Sequence, residues 1–348
     1  MPKQDAQMQR KVEHLFLAEK FFTDESFADF DRVRLLHNAL PELRVNDIDL
    51  TTDFLGKKMS LPIYFNAITG GSRPSSKFNK ELSQLAAKLN IPVSSGSMGV
   101  YLRLPKETKS SFTTLREHNP NGFVIANVSA KVNAKQAQTA IDLLKADALQ
   151  IHLNALQELA MPEGDQEFFW MDHIKEIVDN VKVPVIVKEV GFGISQENLA
   201  QLFNIGVKNV DISGFGGTDF AQIESERNHE LDLTYLDRFS LSTVESLLES
   251  RSYQNNLTIL ASGGIRTPMD VIKALRMGAT SVGMSGLVLH HLQKYSLGET
   301  EIFFTEFIKQ LKLIMAAIGA KSIEDIKKAP IIFDGNLTNY MKQRHINF

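Results

Sequence analysis

The sequence predicts an α/β protein built as a closed (β/α)8 barrel of the TIM type, with an N-terminal extension of helix and strand. Two observations favour this fold class. Eight short apolar segments with β-like character follow one another from Leu61 onward, and segments with helical periodicity separate them. Glycine-rich turns follow the last two strand segments, where such barrels commonly bind phosphate.

The predicted strands are Leu61–Ala67, Pro92–Ser95, Phe123–Asn127, Ala148–Asn154, Val183–Val187, Val207–Ile212, Thr258–Ala261 and Ser281–Met284. The predicted helices are Phe78–Leu89, Ala134–Leu144, Asp172–Asp179, Gln196–Phe203, Ser242–Glu249, Met269–Met277 and Phe303–Ile318. A doubly wound open sheet is the alternative. We favour the barrel because eight units suit closure and no Gly-x-Gly-x-x-Gly fingerprint follows the first strand.

The chain is expected to comprise an extension (1–60), the barrel (61–320) and a tail (321–348). Within the extension we expect a helix beginning in Leu15–Phe22, a second helix at Phe30–Leu36 and an edge strand at Asp47–Leu55. No structure is assigned to Ala329–Phe348. The long segment from 219 to 237 is interpreted as a lid or an exposed loop.

Composition excludes several classes of function. The chain has 348 residues, 43% of them hydrophobic, and a formal net charge of -3, so no basic excess favours nucleic-acid binding. No apolar run is long enough to cross a bilayer, and the polar Met1–Arg10 lacks the apolar core of a secretory signal. We therefore expect a cytoplasmic location and no membrane partner. The absence of cysteine excludes disulfides and a thiolate nucleophile.

The glycine turns predict a phosphate site. Gly263-Gly264 and Ser285-Gly286 can direct bare backbone N–H groups at an anion, and Arg266 adds a permanently charged donor. An ordinary βα turn would explain one such sequence, but two in succession favour phosphate. The other predicted strand ends form a polar ring that suits a large heteroaromatic ligand with an anionic tail. Lys188 could stabilise an electron-rich ring, or could form an ion pair with Glu189 or Asp211.

Several motifs resemble the type 2 isopentenyl-diphosphate isomerases, FMN-dependent barrel enzymes of isoprenoid biosynthesis. The resemblance covers nearly the whole chain. Its most specific parts are Arg10-Lys11-x-Glu13-His14 and the segment from His152 to Glu158, and Lys188-Glu189-Val190-Gly191 adds to them. The turn from Gly263 to Arg266 is shared by FMN barrels in general and is less specific.

The resemblance implies an FMN site, a diphosphate site and a metal ligand. The implied FMN-binding residues are Ala67, Ile68, Thr69, Gly70, Ser97, Asn127, Lys188, Ser213, Thr218, Gly263, Gly264, Ile265, Arg266, Ser285 and Gly286. The implied substrate-binding residues are Arg10, Lys11, Ser97, His152, Asn154 and Gln157, and Glu158 is the implied Mg²⁺ ligand. Taken singly, His152 could be a core histidine, Gln157 a helix cap and Glu158 a solvated carboxylate.

The reaction implied by the resemblance is a 1,3-allylic proton shift between isopentenyl diphosphate and dimethylallyl diphosphate. Reduced FMN would act as an acid–base group without net redox change, with NADPH or NADH as reductant. Gln157 would orient the substrate, His152 would bind the diphosphate and Lys188 would stabilise the reduced flavin. A homo-oligomer, either a tetramer or an octamer, is also expected.

The sequence departs from the family at Ser95-Gly96-Ser97-Met98-Gly99, where many members have Gly-Ser-Gln-Arg. This removes one expected diphosphate contact, for which Arg103 is a candidate replacement. Two other functions stay open: an FMN-dependent 2-hydroxy-acid oxidase or dehydrogenase, and a noncatalytic phosphate-binding barrel. The oxidase would need a histidine base beside an arginine near the late strand ends, and no histidine neighbours Arg266.

Overall fold

The computed structural model describes residues 3–161, 163–227 and 239–348. Its strands are β1 (Val33–Leu35), β2 (Thr52–Phe54), β3 (Lys57–Met59), β4 (Ile63–Phe65), β5 (Val93–Ser94), β6 (Val124–Ser129), β7 (Ala148–His152), β8 (Val185–Lys188), β9 (Asn209–Asp211), β10 (Thr258–Ser262), β11 (Ser281–Met284) and β12 (Ile331–Phe333). Strands β4 to β11 form a closed barrel in which every neighbouring pair is parallel. The predicted barrel is confirmed, and the open sheet is excluded.

Helices cover the outside of the barrel and both ends of the chain. They are α1 (Lys3–Lys20), α2 (Arg73–Leu89), α3 (Gly99–Arg103), α4 (Pro105–His118), α5 (Ala134–Leu144), α6 (Ala155–Ala160), α7 (Met171–Asn180), α8 (Gln196–Asn204), α9 (Phe220–Arg227), α10 (Thr243–Glu249), α11 (Pro268–Arg276), α12 (Gly286–Lys294), α13 (Leu297–Ala317), α14 (Ile323–Ile326) and α15 (Gly335–Gln343). In the ranges described, none of these helices combines the length and apolar character needed to span a membrane.

Local sequence explains where many of the barrel helices begin. Asn133, Ser242 and Thr267 each form a capping box, in which the cap side chain and the residue three positions later satisfy each other's backbone N–H. These signals agree with the predicted barrel helices, each of which is confirmed, with starts that differ from the prediction by up to six residues. The last barrel helix, α13, begins at Leu297 rather than near Phe303, because Ser296 and Glu299 form a further capping box.

A hairpin of the extension closes the amino-terminal end of the barrel. Phe54 on β2 packs against Phe123 and Tyr64, with ring centroids 5.1 and 5.4 Å apart. These aromatic residues belong to a buried cluster separate from the outer core, and its other members come from β3, β6, β7, β8 and β10. The barrel interior is therefore filled at this end, which leaves the opposite end for a ligand.

The ends of the chain differ from the prediction. Residues 30–36 do not form a helix: a single 3-10 turn at Phe30–Arg32 leads into β1. The reason is tertiary, since β1 pairs antiparallel with β12 from the tail, placing Val33 opposite Phe333. The edge-strand prediction is confirmed only over Thr52–Phe54. Of the segment from 219 to 237, interpreted above as a lid or an exposed loop, residues 220–227 form helix α9, and residues 228–237 lie outside the described residues.

Phe304 on α13 provides a test of the packing between outer helix and barrel. Its fully buried ring contacts Phe65 of β4 edge-on, with centroids 5.3 Å apart. Phe304→Ala should lower the free energy of unfolding by about 3–5 kcal/mol, because truncation leaves a cavity that the barrel cannot fill. Urea unfolding followed by circular dichroism measures this. Leu313→Ala, on the exposed side of the same helix, should change stability by less than about 0.5 kcal/mol, and equal effects of the two substitutions would contradict the packing.

Candidate active site

A cavity of about 410 Å³ opens where the barrel strands end. Its volume lies within the range of small-molecule sites. The sequence-predicted residues that line it are Arg10, Lys11, Ala67, Ile68, Thr69, Ser97, Asn127, His152, Asn154, Gln157, Glu158, Lys188, Ser213, Thr218, Gly263, Gly264, Ile265, Arg266, Ser285 and Gly286. Gly70 is not part of the lining and packs against Phe112, whose Cε1 atom lies 2.2 Å from where a Cβ on Gly70 would be.

One side of the cavity is a cup of backbone groups. Gly263 and Gly264 have φ angles of 105° and 66°, which side chains rarely permit. A Cβ on Gly264 would lie 2.4 Å from Ser26 Oγ, so only glycine fits without rearrangement. Helix α12 begins at Gly286, and the preceding Ser285 makes no side-chain cap. The first-turn N–H groups of α12 are therefore available to an anion.

Arg266 stands at the rim of this cup. Its Nε donates a hydrogen bond to the carbonyl of Thr23 at 2.9 Å, and its guanidinium lies 4.5 Å from the centre of the Phe22 ring. Phe22 in turn stacks on His290, with centroids 4.1 Å apart. Burial lowers the pKa of Arg266, but a guanidinium stays charged in proteins. The segment after α1 therefore fixes the arginine that faces the cup.

Lys188 lies at the floor of the cavity, at the end of β8. It is buried, and its Nζ donates to the carbonyl of Glu189. Within the described ranges Lys188 makes no salt bridge, so the alternative interpretation, an ion pair with Glu189 or Asp211, is not supported. Burial lowers the pKa of Lys188, while Asp211 and Glu189 oppose that shift. A cation without a direct counterion is thus held beneath the space that a ligand would fill.

On the side of the cavity opposite the cup, three cationic side chains lie near one another. Lys11 and Arg10 come from α1 and Arg103 from α3, and all three line the cavity. Burial, together with the positive charges of Arg10 and Arg103, lowers the pKa of Lys11 to about 8. Like charges brought together in this way destabilise one another unless an anion binds. Arg10, Lys11 and Arg103 are called the cation cluster below. Arg103 Nη2 lies 3.9 Å from where a Cβ on Gly99 would be, within the segment that departs from the family pattern.

Glu158 lies beside the cation cluster on α6. Its Oε1 accepts a hydrogen bond from Asn154 Nδ2 at 3.0 Å, and its Oε2 lies 3.1 Å from Lys131 Nζ. The Oδ1 of Asn154 is buried without a partner. Among the described residues no group of three or more histidines and carboxylates could hold a metal by itself. A cation at Glu158 would therefore need most of its ligands from a bound anion and water.

Sequence reasoning missed the ion pairs that hold α1 over the cavity. Arg227, the last residue of α9, contacts Glu13 at 2.9 Å, Glu163 at 3.2 Å and the buried Glu224. Arg10 shares the same Glu163 oxygen at 3.3 Å. Glu13 lay within a recognised motif, but its partner is more than two hundred positions away, so no local pattern could reveal the pair.

Two comparisons of sequence identify relatives. A family model described as FMN-dependent dehydrogenase matches residues 103–332. The chain is 47% identical over 346 residues to an isopentenyl-diphosphate delta-isomerase from Latilactobacillus sakei, with 99% of each chain covered. It is 43% identical over 340 residues to a protein of the same name from Staphylococcus aureus, with 97% of each covered.

Solved structures show the same fold at low identity. A flavocytochrome b2 variant is 19% identical with a TM-score of 0.66, covering 96% of this chain and 87% of its own. A mandelate oxidase variant is 15% identical with a TM-score of 0.64, covering 92% and 90%. At these identities the likeness extends to the fold alone. On the nearly full-length relatives and the matching family model, the chain belongs to the FMN-dependent, type 2 isopentenyl-diphosphate delta-isomerase family.

Proposed function

We propose that the protein interconverts isopentenyl diphosphate and dimethylallyl diphosphate by a 1,3-allylic proton shift. The observation that carries the proposal is the pairing of two different anion sites across one cavity. The cup at Gly263, Gly264 and Gly286 uses backbone N–H groups, whereas Arg10, Lys11 and Arg103 form a cation cluster opposite it. A phosphate-bearing cofactor and a diphosphate substrate fit these two sites, and the names of the relatives agree with that pair.

The groups that line the cavity suit the chemistry of FMN. The positive φ angles at Gly263 and Gly264 and the uncapped start of α12 suit its phosphate. We assign Ala67 to Thr69, Ser97, Asn127, Ser213 and Thr218 to its ring and ribityl chain, with Lys188 beneath the ring. Reduced FMN, regenerated by NADPH or NADH, would supply an acid–base group with no net redox change. The role of Lys188 is to place positive charge against the electron-rich reduced ring.

We assign the substrate residues to the opposite side of the cavity. Arg10, Lys11 and Arg103 would neutralise the diphosphate, and Asn154 would hydrogen-bond to it. Glu158 would share Mg²⁺ with the diphosphate oxygens, since Mg²⁺ commonly uses few protein carboxylates and several phosphate or water oxygens. Gln157, close to Asn154, would orient the allylic carbons. In this assignment these residues bind and align the substrate, and reduced FMN would supply the acid–base group.

The two alternatives have less support. A 2-hydroxy-acid oxidase needs a histidine base, but burial and the positive charge of Lys188 lower the pKa of His152 to about 3, which makes it a weak base near pH 7. A purely phosphate-binding barrel would not need the cation cluster.

We also propose a homo-oligomer, supported by exposed aromatic side chains such as Phe16 and Phe169, which are 67% and 85% accessible.

The activity can be tested in an anaerobic assay with isopentenyl diphosphate, Mg²⁺, FMN and NADPH in deuterated water. We expect dimethylallyl diphosphate carrying solvent deuterium, formed only when the flavin is reduced. Gln157→Ala should lower kcat about a hundredfold, since misalignment of reacting groups has effects of that size, with FMN affinity unchanged. Oxidation of a 2-hydroxy acid without isomerisation would refute the proposal, and an unchanged kcat would remove Gln157 from its role.

Arg103 can be tested as the replacement diphosphate contact. Arg103→Ala should raise KM for isopentenyl diphosphate about tenfold, the usual cost of losing one charge-assisted hydrogen bond, with a smaller change in kcat. Steady-state kinetics with the reduced enzyme measure both constants. Lys106→Ala removes an exposed cation three positions away and should leave KM unchanged. Equal KM values for the wild type and Arg103→Ala would assign the contact elsewhere.

Lys11 should make anion binding depend on pH. In the ligand-free protein its pKa is about 8, so its charge is present below that pH and is lost above it. The affinity for inorganic pyrophosphate should therefore fall above about pH 8. Lys11→Arg, which keeps its charge, controls for the ionisation of pyrophosphate itself, and titration calorimetry compares the two proteins. A constant affinity ratio from pH 7 to 10 would contradict the charge cluster.

A further inference from the structure

The buried interior next to His152 contains four polar side chains joined in a row. Asn66 Nδ2 donates to Asp211 Oδ2 at 2.8 Å, and Gln150 Nε2 donates to Asn66 Oδ1 at 3.0 Å. Asn127 Nδ2 donates to Gln150 Oε1 at 3.2 Å. The row ends at His152, whose Nδ1 lies 2.8 Å from Asn127 Oδ1. The four side chains from Asp211 to Asn127 are at most 2% exposed, so water cannot readily replace these partners.

The direction of every bond in this row is fixed by groups that cannot reverse. The N–H of Ala67 only donates, and it donates to Asn66 Oδ1 at 2.8 Å. The carboxylate of Asp211 accepts from Asn66, from Tyr64 Oη at 2.6 Å and from Ser262 Oγ at 2.8 Å. Asn66 is therefore held with Oδ1 towards Gln150.

The remaining assignments follow in order. Because Asn66 presents an acceptor, Gln150 must present its Nε2 donor, which leaves Gln150 Oε1 facing Asn127. Ser94 Oγ also donates to that Oε1, at 2.6 Å. Asn127 must then donate from Nδ2 and accept at Oδ1. Among the residues that the structure describes, the group left to donate to Asn127 Oδ1 is the Nδ1–H of His152.

We infer that this row of amides, anchored at Asp211, fixes neutral His152 with its proton on Nδ1, so that Nε2 is an acceptor in the cavity and gains a proton when a diphosphate binds. The proton comes from solvent or buffer, and the N–H bond at Nε2 is the only bond formed. The coupling to diphosphate rests on the proposed function, whereas the tautomer does not. Gln150, which does not line the cavity, is the positioning residue.

The charges around His152 explain why a proton would be taken up only with the ligand. Lys188 faces it from β8, Lys11 from α1 and Lys131 from the segment after β6, and with burial they lower the pKa of His152 to about 3. An acceptor nitrogen would repel phosphate oxygens, whereas a protonated one would donate to them. The negative charge of a diphosphate would offset the three lysines and thereby favour the imidazolium.

Nitrogen-15 NMR of histidine-labelled protein without substrate tests the tautomer directly, with His152 assigned from the spectrum of His152→Gln. We expect a pyrrole-like Nδ1 and a pyridine-like Nε2 at pH 7. Gln150→Met removes the donor and acceptor and should give a mixture of tautomers or the Nε2–H form. Ser94→Ala leaves the amide row intact and should match the wild type. A wild-type Nε2–H tautomer or imidazolium would overturn the inference, even if Gln150→Met does not fold.

Calorimetric titration with inorganic pyrophosphate and Mg²⁺ in buffers of different ionisation enthalpy counts the protons taken up. At pH 7 we expect the wild type to take up more protons than His152→Gln on binding, and this difference measures the contribution of His152. Gln150→Met should reduce this difference, because an Nε2–H imidazole donates without gaining a proton. No difference between the two proteins would overturn the coupling. Pyrophosphate binding without isomerase activity would refute the proposed function and leave this inference standing.

Discussion

Burial of the Asp211 carboxylate inside the barrel is the constraint on which the site depends. A buried charge is tolerated only when other groups supply hydrogen bonds, and Tyr64, Asn66 and Ser262 supply them from β4, the loop after it and β10. Tyr64 can cross the barrel because β11 has glycine at 283, where a Cβ would lie 2.6 Å from Tyr64 Cζ. A side chain at 283 would push Tyr64 away and leave Asp211 without one of its donors.

The same constraint connects the rigid interior to the open cavity. Asp211 fixes the orientation of the Asn66 amide, which fixes that of Gln150 and then that of Asn127. The polar groups on and after β4, β6 and β7 therefore have one arrangement rather than several. Lys188 lies in register with Asp211 across β8 and β9, and the carboxylate partly offsets the cost of burying that cation. A preorganised floor of this kind holds donors, acceptors and charge in place before any ligand arrives.

The two proposed anion sites differ in a way that suits a resident cofactor and an exchanging substrate. The cup consists of backbone groups whose positions are set by barrel strands and by glycine conformations. Its geometry therefore does not depend on the position of helices outside the barrel such as α1. The cation cluster depends on α1, which is held to the barrel by the ion pairs of Arg227 with Glu13 and Glu163. A ligand at the cluster would therefore be bound partly by a separate helix, and one at the cup by the core itself.

The sequence was sufficient for the elements with local signals. Helical periodicity predicted α5 and α11, and the glycine turns at Gly263 and Ser285 marked the ends of the last two barrel strands. The sequence was insufficient where an element is determined by pairing with residues far away in the chain. Val33 becomes a strand residue because of Phe333. The lining residues Lys131 and Asp165 carried no motif.

The tautomer of His152 shows the limit most clearly. The motif around His152 indicated a ligand-binding histidine, and by itself a histidine that binds diphosphate suggests a donor. Its proton, however, is set by Asp211, fifty-nine positions later in the chain, through Asn66, Gln150 and Asn127. Those residues are spread over four strands or strand ends, and each is unremarkable alone. Only the closed barrel places them in a row, so the chemical character of the histidine is a property of the fold rather than of its motif.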